Sequence, residues 1–413
     1  MSWTAPLFGA AVLALAPADA PGPTCAEPST PPADTVPAVE TSSQEALEAR
    51  LTLGGALRFN LQYRDWARGR FELRRAADFD FDTFRLNADG SYGDLLFSAE
   101  YRIYAGYHML HHGWVGYGFS DALDVLLGVH KVPFGPLPYA SHNWFFQLPY
   151  YVGLEDDYDA GVNVLYAAGR WGVQMAFYLN DEGSFTGGSV ASARYSYDVV
   201  PATPGELGYA GLETARSNEE VNQVNGRLTY TAPLSSGKGS AELGVSGQWG
   251  QLHNRETDRF GSHWAASAHV DATRGRWNVI AEAIRYAVNP DEAGAVEPFV
   301  VMGAYDAPYK VARAASLYLL GVAYTLPVAW GPIASIRFYD DFTYMVKADP
   351  TYPDTRQNVL GSAISAGPVY VYMDVASGWN HPWLGPDYGR ALAEGDGAGG
   401  WSTRFNMNVG YYF

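Results

Sequence analysis

The chain has 413 residues, enough for two or three domains, but only 17% are charged while 15% are aromatic, with 29 Tyr and 12 Trp. Lys and Arg total 27 against 44 Asp and Glu, and the resulting charge of −17 excludes a polyanion-binding surface and with it nucleic acid as a partner. No run of about 20 apolar residues is available to cross a bilayer as a helix, which leaves open a crossing by strands, whose alternation averages out in any hydropathy window.

The first segment reads as a signal peptide over residues 1–26. Residues 7–16 (LFGAAVLALA) are an apolar run of the right length, and small residues place cleavage after Ala20 or Ala26. The stretch before it carries no Lys or Arg, which is atypical. The single cysteine, Cys25, excludes an intramolecular disulfide and a thiolate zinc site. Residues 27–50 are expected to form a disordered leader rich in Pro, Thr, Ser and Glu, with a short helix over 42–50 capped by Ser42.

From Leu51 one device recurs to the end of the chain: a stretch alternating apolar and polar, then a turn. Leu51, Leu53, Leu57, Phe59, Leu61 and Tyr63 share one face of the first stretch, and Thr52, Arg58, Asn60, Gln62 and Arg64 share the other. Period two makes this a strand with one apolar and one polar face. The last stretch repeats it, with Phe405, Met407, Val409, Tyr411 and Phe413 opposite Arg404, Asn406 and Asn408. Fourteen further strands are expected at 79–90, 93–105, 107–119, 122–132, 159–167, 170–180, 221–232, 239–252, 262–273, 276–288, 311–326, 332–346, 355–366 and 369–379. Short Gly- or Pro-bearing turns alternate with connections that are often long (133–158, 181–220, 289–310 and 380–400). The fold class read from this pattern is all-β: a transmembrane antiparallel β-barrel of 16 strands spanning 51–413, with short turns on one side and long loops on the other. Tyr63, Tyr117, Tyr166, Trp171, Trp249, Trp277, Tyr324 and Tyr411 fall near strand ends on the apolar face, where membrane–water interfaces favour them. A lysine is therefore expected to be costly at outward Leu57 and tolerated at inward Asn60.

Two segments, GVHKVPFG at 128–135 followed by LPYYVGLEDDYDAGV at 148–162, and IRFYDDFTY at 336–344, are similar to elements of bacterial outer-membrane porins, and the chain most resembles the phosphate-selective porin O and P family. The terminal Tyr411-Tyr412-Phe413 resembles the C-terminal signal read by barrel-insertion machinery. The resemblance implies a water-filled channel in the bacterial outer membrane for passive diffusion of small hydrophilic solutes and ions, surrounded by lipid and lipopolysaccharide and assembled as a homotrimer. It also implies that the loop after the fifth strand folds into the pore. The family's phosphate selectivity does not carry over, because this chain is poor in lysine. A substrate-specific channel for anions, phosphate or sugar is the alternative, and a secreted soluble all-β binding protein is the next.

On this reading the 133–158 loop is a constriction loop, with Lys131 at its base and Glu155, Asp156, Asp157 and Asp159 facing the lumen. Parity puts Arg58, Arg64, Arg85, Arg102, Arg227, Arg313, Arg337 and Arg404 on the polar face, against Asp89, Glu100, Glu242, Asp271, Glu282, Asp341 and Asp374. The near balance predicts weak selectivity. Closure of the barrel would make Arg404, Arg58, Arg64, Arg85 and Arg102 contiguous, so a basic wall facing the acidic loop is expected. His108, His111, His112, His130 and His142 invite a metal reading, but strand geometry sends His111 and His112 to opposite faces, and no metal site is expected. No cofactor is expected. Without a G-x-S-x-G element or a serine beside a His–acid pair, no catalytic residue is expected either.

Overall fold

The computed structural model describes residues 49–67, 77–206, 212–234, 238–292, 294 and 297–413. The signal peptide and most of the leader lie outside these residues. Ala49 and Arg50, the end of the expected short helix, instead begin the first strand.

Among the described residues nineteen strands follow in chain order: β1 (Ala49–Arg64), β2 (Asp78–Tyr92), β3 (Leu95–Ile103), β4 (His108–Ser120), β5 (Leu123–Lys131), β6 (Tyr158–Ala168), β7 (Trp171–Asp181), β8 (Asp198–Val199), β9 (Asn218–Pro233), β10 (Gly239–Asn254), β11 (Arg259–Arg274), β12 (Trp277–Asn289), β13 (Phe299–Ala304), β14 (Ala307–Ala312), β15 (Ala314–Trp330), β16 (Ile333–Lys347), β17 (Thr355–Ala366), β18 (Val369–Trp379) and β19 (Ser402–Tyr412). Sixteen of them, all but β8, β13 and β14, form one closed barrel with every neighbour antiparallel. These are the sixteen strands the alternation predicts. Closure comes from β19 pairing back onto β1, from Ala56 opposite Tyr412 to Arg64 opposite Arg404.

The turns on the short side explain the glycines there. Gly93, Gly169, Gly275, Gly331 and Gly367 each open a two-residue turn with φ between 57° and 62°. A left-handed first position is what a type II′ hairpin needs, and it matches the twist of the strands it joins. Pro332 and Pro368 are compatible with the second position, whose φ is negative.

The outer surface is apolar. Leu51, Leu53 and Met175 are 64%, 71% and 62% exposed, and aromatic pairs such as Trp171–Tyr230 and Trp277–Tyr324, with centroids 4.8 and 4.9 Å apart, lie toward the short-turn end. An apolar belt around a closed barrel suits hydrocarbon and not water.

The inner surface departs from the expected wet face in two ways. Along β10, β12, β15 and β16 the inward positions nearest the long loops are Leu252, Ile284, Tyr286, Leu317 and Met345, all buried in one hydrophobic cluster. Their partners come from the loops: Phe134, Leu148 and Tyr151 of the 132–157 loop, Tyr197 and Val199 of the 182–217 loop, and Val300, Met302 and Val311 of the β13–β14 hairpin. This half of the barrel is therefore a packed core. β14, β13 and β8 form a small second sheet within it.

Bulges change the parity. Arg58 lies opposite Thr83 while Phe59 lies opposite Phe81, so Asp82 is an extra residue in β2 and the strand reverses its facing there. Asp78, Asp80 and Asp82 consequently serve the inner face, which simple alternation from Arg85 does not reveal. In β4, Glu100 lies opposite His112 and Tyr101 opposite Leu110, leaving His111 as the extra residue. The two imidazoles meet, Nδ1 to Nδ1 at 2.8 Å, against the expectation that they diverge. The bulge removes the half-turn that separates neighbours in a regular strand.

Asn60 also differs from expectation. It is 6% exposed and accepts hydrogen bonds from the Asn406 and Asn408 amides at 3.3 and 2.8 Å. A lysine there would displace this asparagine ladder, so the tolerant inner position on β1 is the exposed Thr52, opposite Asp89. Leu57→Lys is expected to destabilise the barrel by about 2–4 kcal/mol and Thr52→Lys by little, read as the heat-modifiable gel mobility of refolded protein.

Candidate functional site

Pro133, Pro136 and Pro138 cannot continue a sheet ladder, and the chain leaves the wall directly after Lys131. The 132–157 loop then crosses the barrel interior. Its first contact is with β9 and β10: the Arg227 guanidinium donates to the Gly135 carbonyl at 2.7 Å, and the Gly135 amide donates to Ser246 Oγ at 3.1 Å. The second is with β16. Asp341 accepts from the His142 backbone amide, His142 Nδ1 and the Asn143 side-chain amide, all at 2.7 Å. Further along, the Trp144 amide donates to Asp374 on β18 at 3.3 Å, and Gln357 on β17 donates to the Phe146 carbonyl at 2.9 Å. Thr343 on β16 bonds Gln147. The loop is thus tied to the wall opposite its own root.

Asp341 belongs to the IRFYDDFTY element, so one of its paired aspartates has a definite task. Asp340 faces outward and accepts from Asn358 at 2.7 Å. Alternation predicts that split; which loop Asp341 would meet was not readable from the strand.

At the root, Lys131 closes the loop on itself. Its ammonium lies 2.5 Å from Asp156 and 2.9 Å from the Pro138 carbonyl, above the Tyr139 ring at 4.5 Å. Tyr139 remains 41% exposed and is the loop's open edge.

The four acids expected to face the lumen do not form an open row. Glu155, Asp156, Asp157 and Asp159 are 5%, 4%, 6% and 2% exposed. Glu155 accepts from the Ala140 amide at 2.9 Å and Ser141 Oγ at 3.1 Å, bracing the loop from within. Asp156 accepts from Tyr195 at 2.5 Å as well as holding Lys131. Asp157 and Asp159 turn toward the 182–217 loop and Asp198. The loop shares one hydrophobic cluster with Tyr197 and Val199, and its carboxylates are buried on that packed side at a desolvation cost.

The expected basic wall is also different in character. Arg58 pairs with Asp82 at 2.6 Å, Arg64 with Asp78 at 3.3 Å, and Arg102 with Glu100 at 2.5 Å, with Arg85 3.9 Å from the same Glu100. The five contiguous arginines do line adjacent strands, but four are members of an Arg–carboxylate ladder. Arg404 is the exception, stacked over Trp144 and Phe145 at 5.7 and 5.1 Å. Arg337 stands apart near the short-turn end, with Nε 3.4 Å from Thr325 Oγ1. Among the described residues neither has a carboxylate within ion-pair distance. Arg227 and Glu242 pair at 2.5 Å on the packed side. The contribution of Asp78, Asp80 and Asp82 was missed because the bulge at Asp82 hides it, although the alternation in DFDFD was itself a signal.

No family model and no curated protein matches the chain. Solved structures do match in shape. The outer membrane channel DcaP of Acinetobacter baumannii superimposes with a TM-score of 0.54 at 12% identity, over 88% of this chain and 97% of that one. The trimer form of OmpT, an outer membrane protein of Vibrio cholerae, gives 0.53 at 12% identity, over 88% and 99%. An anion-selective porin from Comamonas acidovorans gives 0.52 at 14% identity, over 89% and 100%. At such identities the likeness is one of fold, the sixteen-stranded barrel of outer-membrane porins. It does not single out the phosphate-selective O and P family.

The brace around Glu155 titrates. Burial, with Glu282 and Asp156 nearby, pushes its carboxyl up to about 8 despite the hydrogen bonds from Ala140 and Ser141. A raised acid favours the packed loop most below its ordinary value near 4.5, and that contribution is lost as pH climbs through about 8. Loop mobility, read as open-channel current noise in planar bilayers, is expected to rise between about pH 4.5 and pH 8, and Glu155→Gln is expected to flatten the dependence.

Proposed function

We propose that the chain is an outer-membrane channel through which small hydrophilic solutes and ions diffuse passively, with weak charge selectivity. The observation that carries this reading is the 132–157 loop, which enters the barrel and is held on the far wall by Asp341. The solute path would run between Tyr139 and the paired Arg58, Arg64 and Arg85, with Arg102 buried under Tyr195. A paired ladder presents polar groups to solute and water but little net charge, so it favours neither ion sign strongly. Lys131, the lysine of the motif shared with phosphate-selective porins, is engaged by Asp156 and the Pro138 carbonyl, which speaks against a free phosphate site there. The outer apolar belt and the fold support placement in a bacterial outer membrane. The trimeric state of OmpT supports a homotrimer in a surround of lipid and lipopolysaccharide.

Two measurements test the path. Deleting 137–147 is expected to raise single-channel conductance and the size limit for sugars, whereas shortening the 255–258 turn is expected to change neither. The 182–217 loop is unsuitable as a control because it packs against the inner loop through Tyr195 and Asp156. Unchanged conductance in a folded deletion variant would remove the loop from the path. Arg58→Gln leaves Asp82 without its guanidinium and is expected to shift the reversal potential toward cations; a shift toward anions would place the path elsewhere.

A further inference from the structure

Asp157 ends the inner loop, Asp159 is the second residue of β6, and Asp198 opens β8 within the 182–217 loop. One carboxylate oxygen from each lies within 4.8 Å of the others, and all three residues are buried. Other acids surround them: Asp181 and Glu182 where β7 ends, and Glu220 on β9. The facing cation is Arg194, whose guanidinium lies 2.7 Å from Asp181, 2.8 Å from Asp198 and 3.6 Å from Glu182. His263 stands 3.7 Å from Glu220 on the other side. One guanidinium does not offset this many buried carboxylates, and an uncompensated buried charge is costly.

A second observation comes from a neutral side chain. Gln223 reaches the cluster through a bulge that sets Gln251 opposite Val221 and Trp249 opposite Val224. Its amide nitrogen donates to Asp159 Oδ2 at 2.9 Å, and the residue is 2% exposed. Its carbonyl oxygen Oε1 has no hydrogen-bond partner, and neither does Asp159 Oδ1. Gln223 and Asp159 line one small recess together with Asp181 and Glu220. Two buried oxygens without donors, one of them an uncharged amide, thus belong to residues that line a recess among carboxylates.

We propose that Asp157, Asp159, Asp198 and Gln223 bind a hard divalent cation of the calcium class, which fastens the exit of the inner loop to the 182–217 loop. All four donors are oxygens, with no imidazole or thiolate among them, the set that calcium takes and that zinc and copper do not select. The site would join three segments distant in sequence, and it is independent of whether the lumen conducts.

The test uses the full chain refolded in detergent, stripped with EGTA and titrated with CaCl2 or TbCl3. Saturable uptake of one ion per chain is expected, with terbium luminescence sensitised by Tyr158 and Tyr178 and displaced by calcium. Asp159→Asn and Asp198→Asn are each expected to weaken uptake by at least about tenfold, and Glu297→Gln, on the surface, to leave it unchanged. Gln223→Leu removes the orphan oxygen without altering charge and is expected to weaken uptake even if an aspartate variant fails to fold. Calcium is also expected to raise the thermal midpoint of wild type and not that of Asp198→Asn. Absence of saturable uptake up to about 10 mM calcium, or equal uptake in the Asp198→Asn and Gln223→Leu variants, would overturn the proposal.

Discussion

In hydrocarbon a β-sheet must have no free edge, because each backbone group left without a partner there is strongly destabilising. The pairing of β19 with β1 meets that constraint, continued by Gly55 and Phe413 exchanging backbone hydrogen bonds at 2.9 and 3.1 Å. Once the sheet is closed, its two faces have different solvents. The outer face must be apolar, and the strands supply Leu, Phe, Val and interfacial Tyr and Trp. The inner face is free to be polar, charged or packed. This barrel uses all three, and the division among them follows from what the loops do.

A barrel of sixteen strands encloses more space than its own side chains fill. Here the loops fill part of it unevenly. On the side of β10, β12, β15 and β16 the inward residues are apolar and join the loops in one hydrophobic cluster, so burial holds the loops in place. Toward β1, β2 and β3 the inward residues are arginines and carboxylates. The inner loop lies between these regions. Its backbone carries polar groups that burial would orphan, and the wall supplies partners from five strands: Arg227, Ser246, Asp341, Gln357 and Asp374. Each of these is an inward residue whose role is defined by the loop rather than by its neighbours in the strand.

The electrostatics follow from the same geometry. The arginines of β1, β2 and β3 would repel one another if left alone in a confined lumen. Asp78, Asp82 and Glu100 stand among them, which turns a one-signed wall into a ladder. The excess of buried acid is concentrated instead behind the inner loop, where Asp157, Asp159 and Asp198 meet. Acid at the loop's back and paired charge on the wall is a different arrangement from two opposed walls of opposite sign, and it places the strongest uncompensated charge away from the lumen.

Much of the architecture was legible in the sequence because a strand between two solvents must alternate, and alternation is a local property. Sixteen strands, their approximate bounds, the outward girdle and the short glycine turns all follow from residues within one strand length of each other. The interior was not legible in the same way. Asp82 and His111 sit at bulges, and one extra residue reverses every later side chain, so parity read from either end fails across them. The β13–β14 hairpin carried a signal in the apolar run from Phe299 to Met302, but that run resembles a wall strand until its burial on both faces is seen. Asp341 and His142 are 199 positions apart and Asp159 and Gln223 are 64 apart, and nothing local marks either pair. Sequence alone determined the barrel and its two faces, because hydrophobic periodicity acts at short range. Only the tertiary structure decided which inward groups meet, because a buried polar atom takes its partner from whatever the folded chain brings within hydrogen-bonding distance.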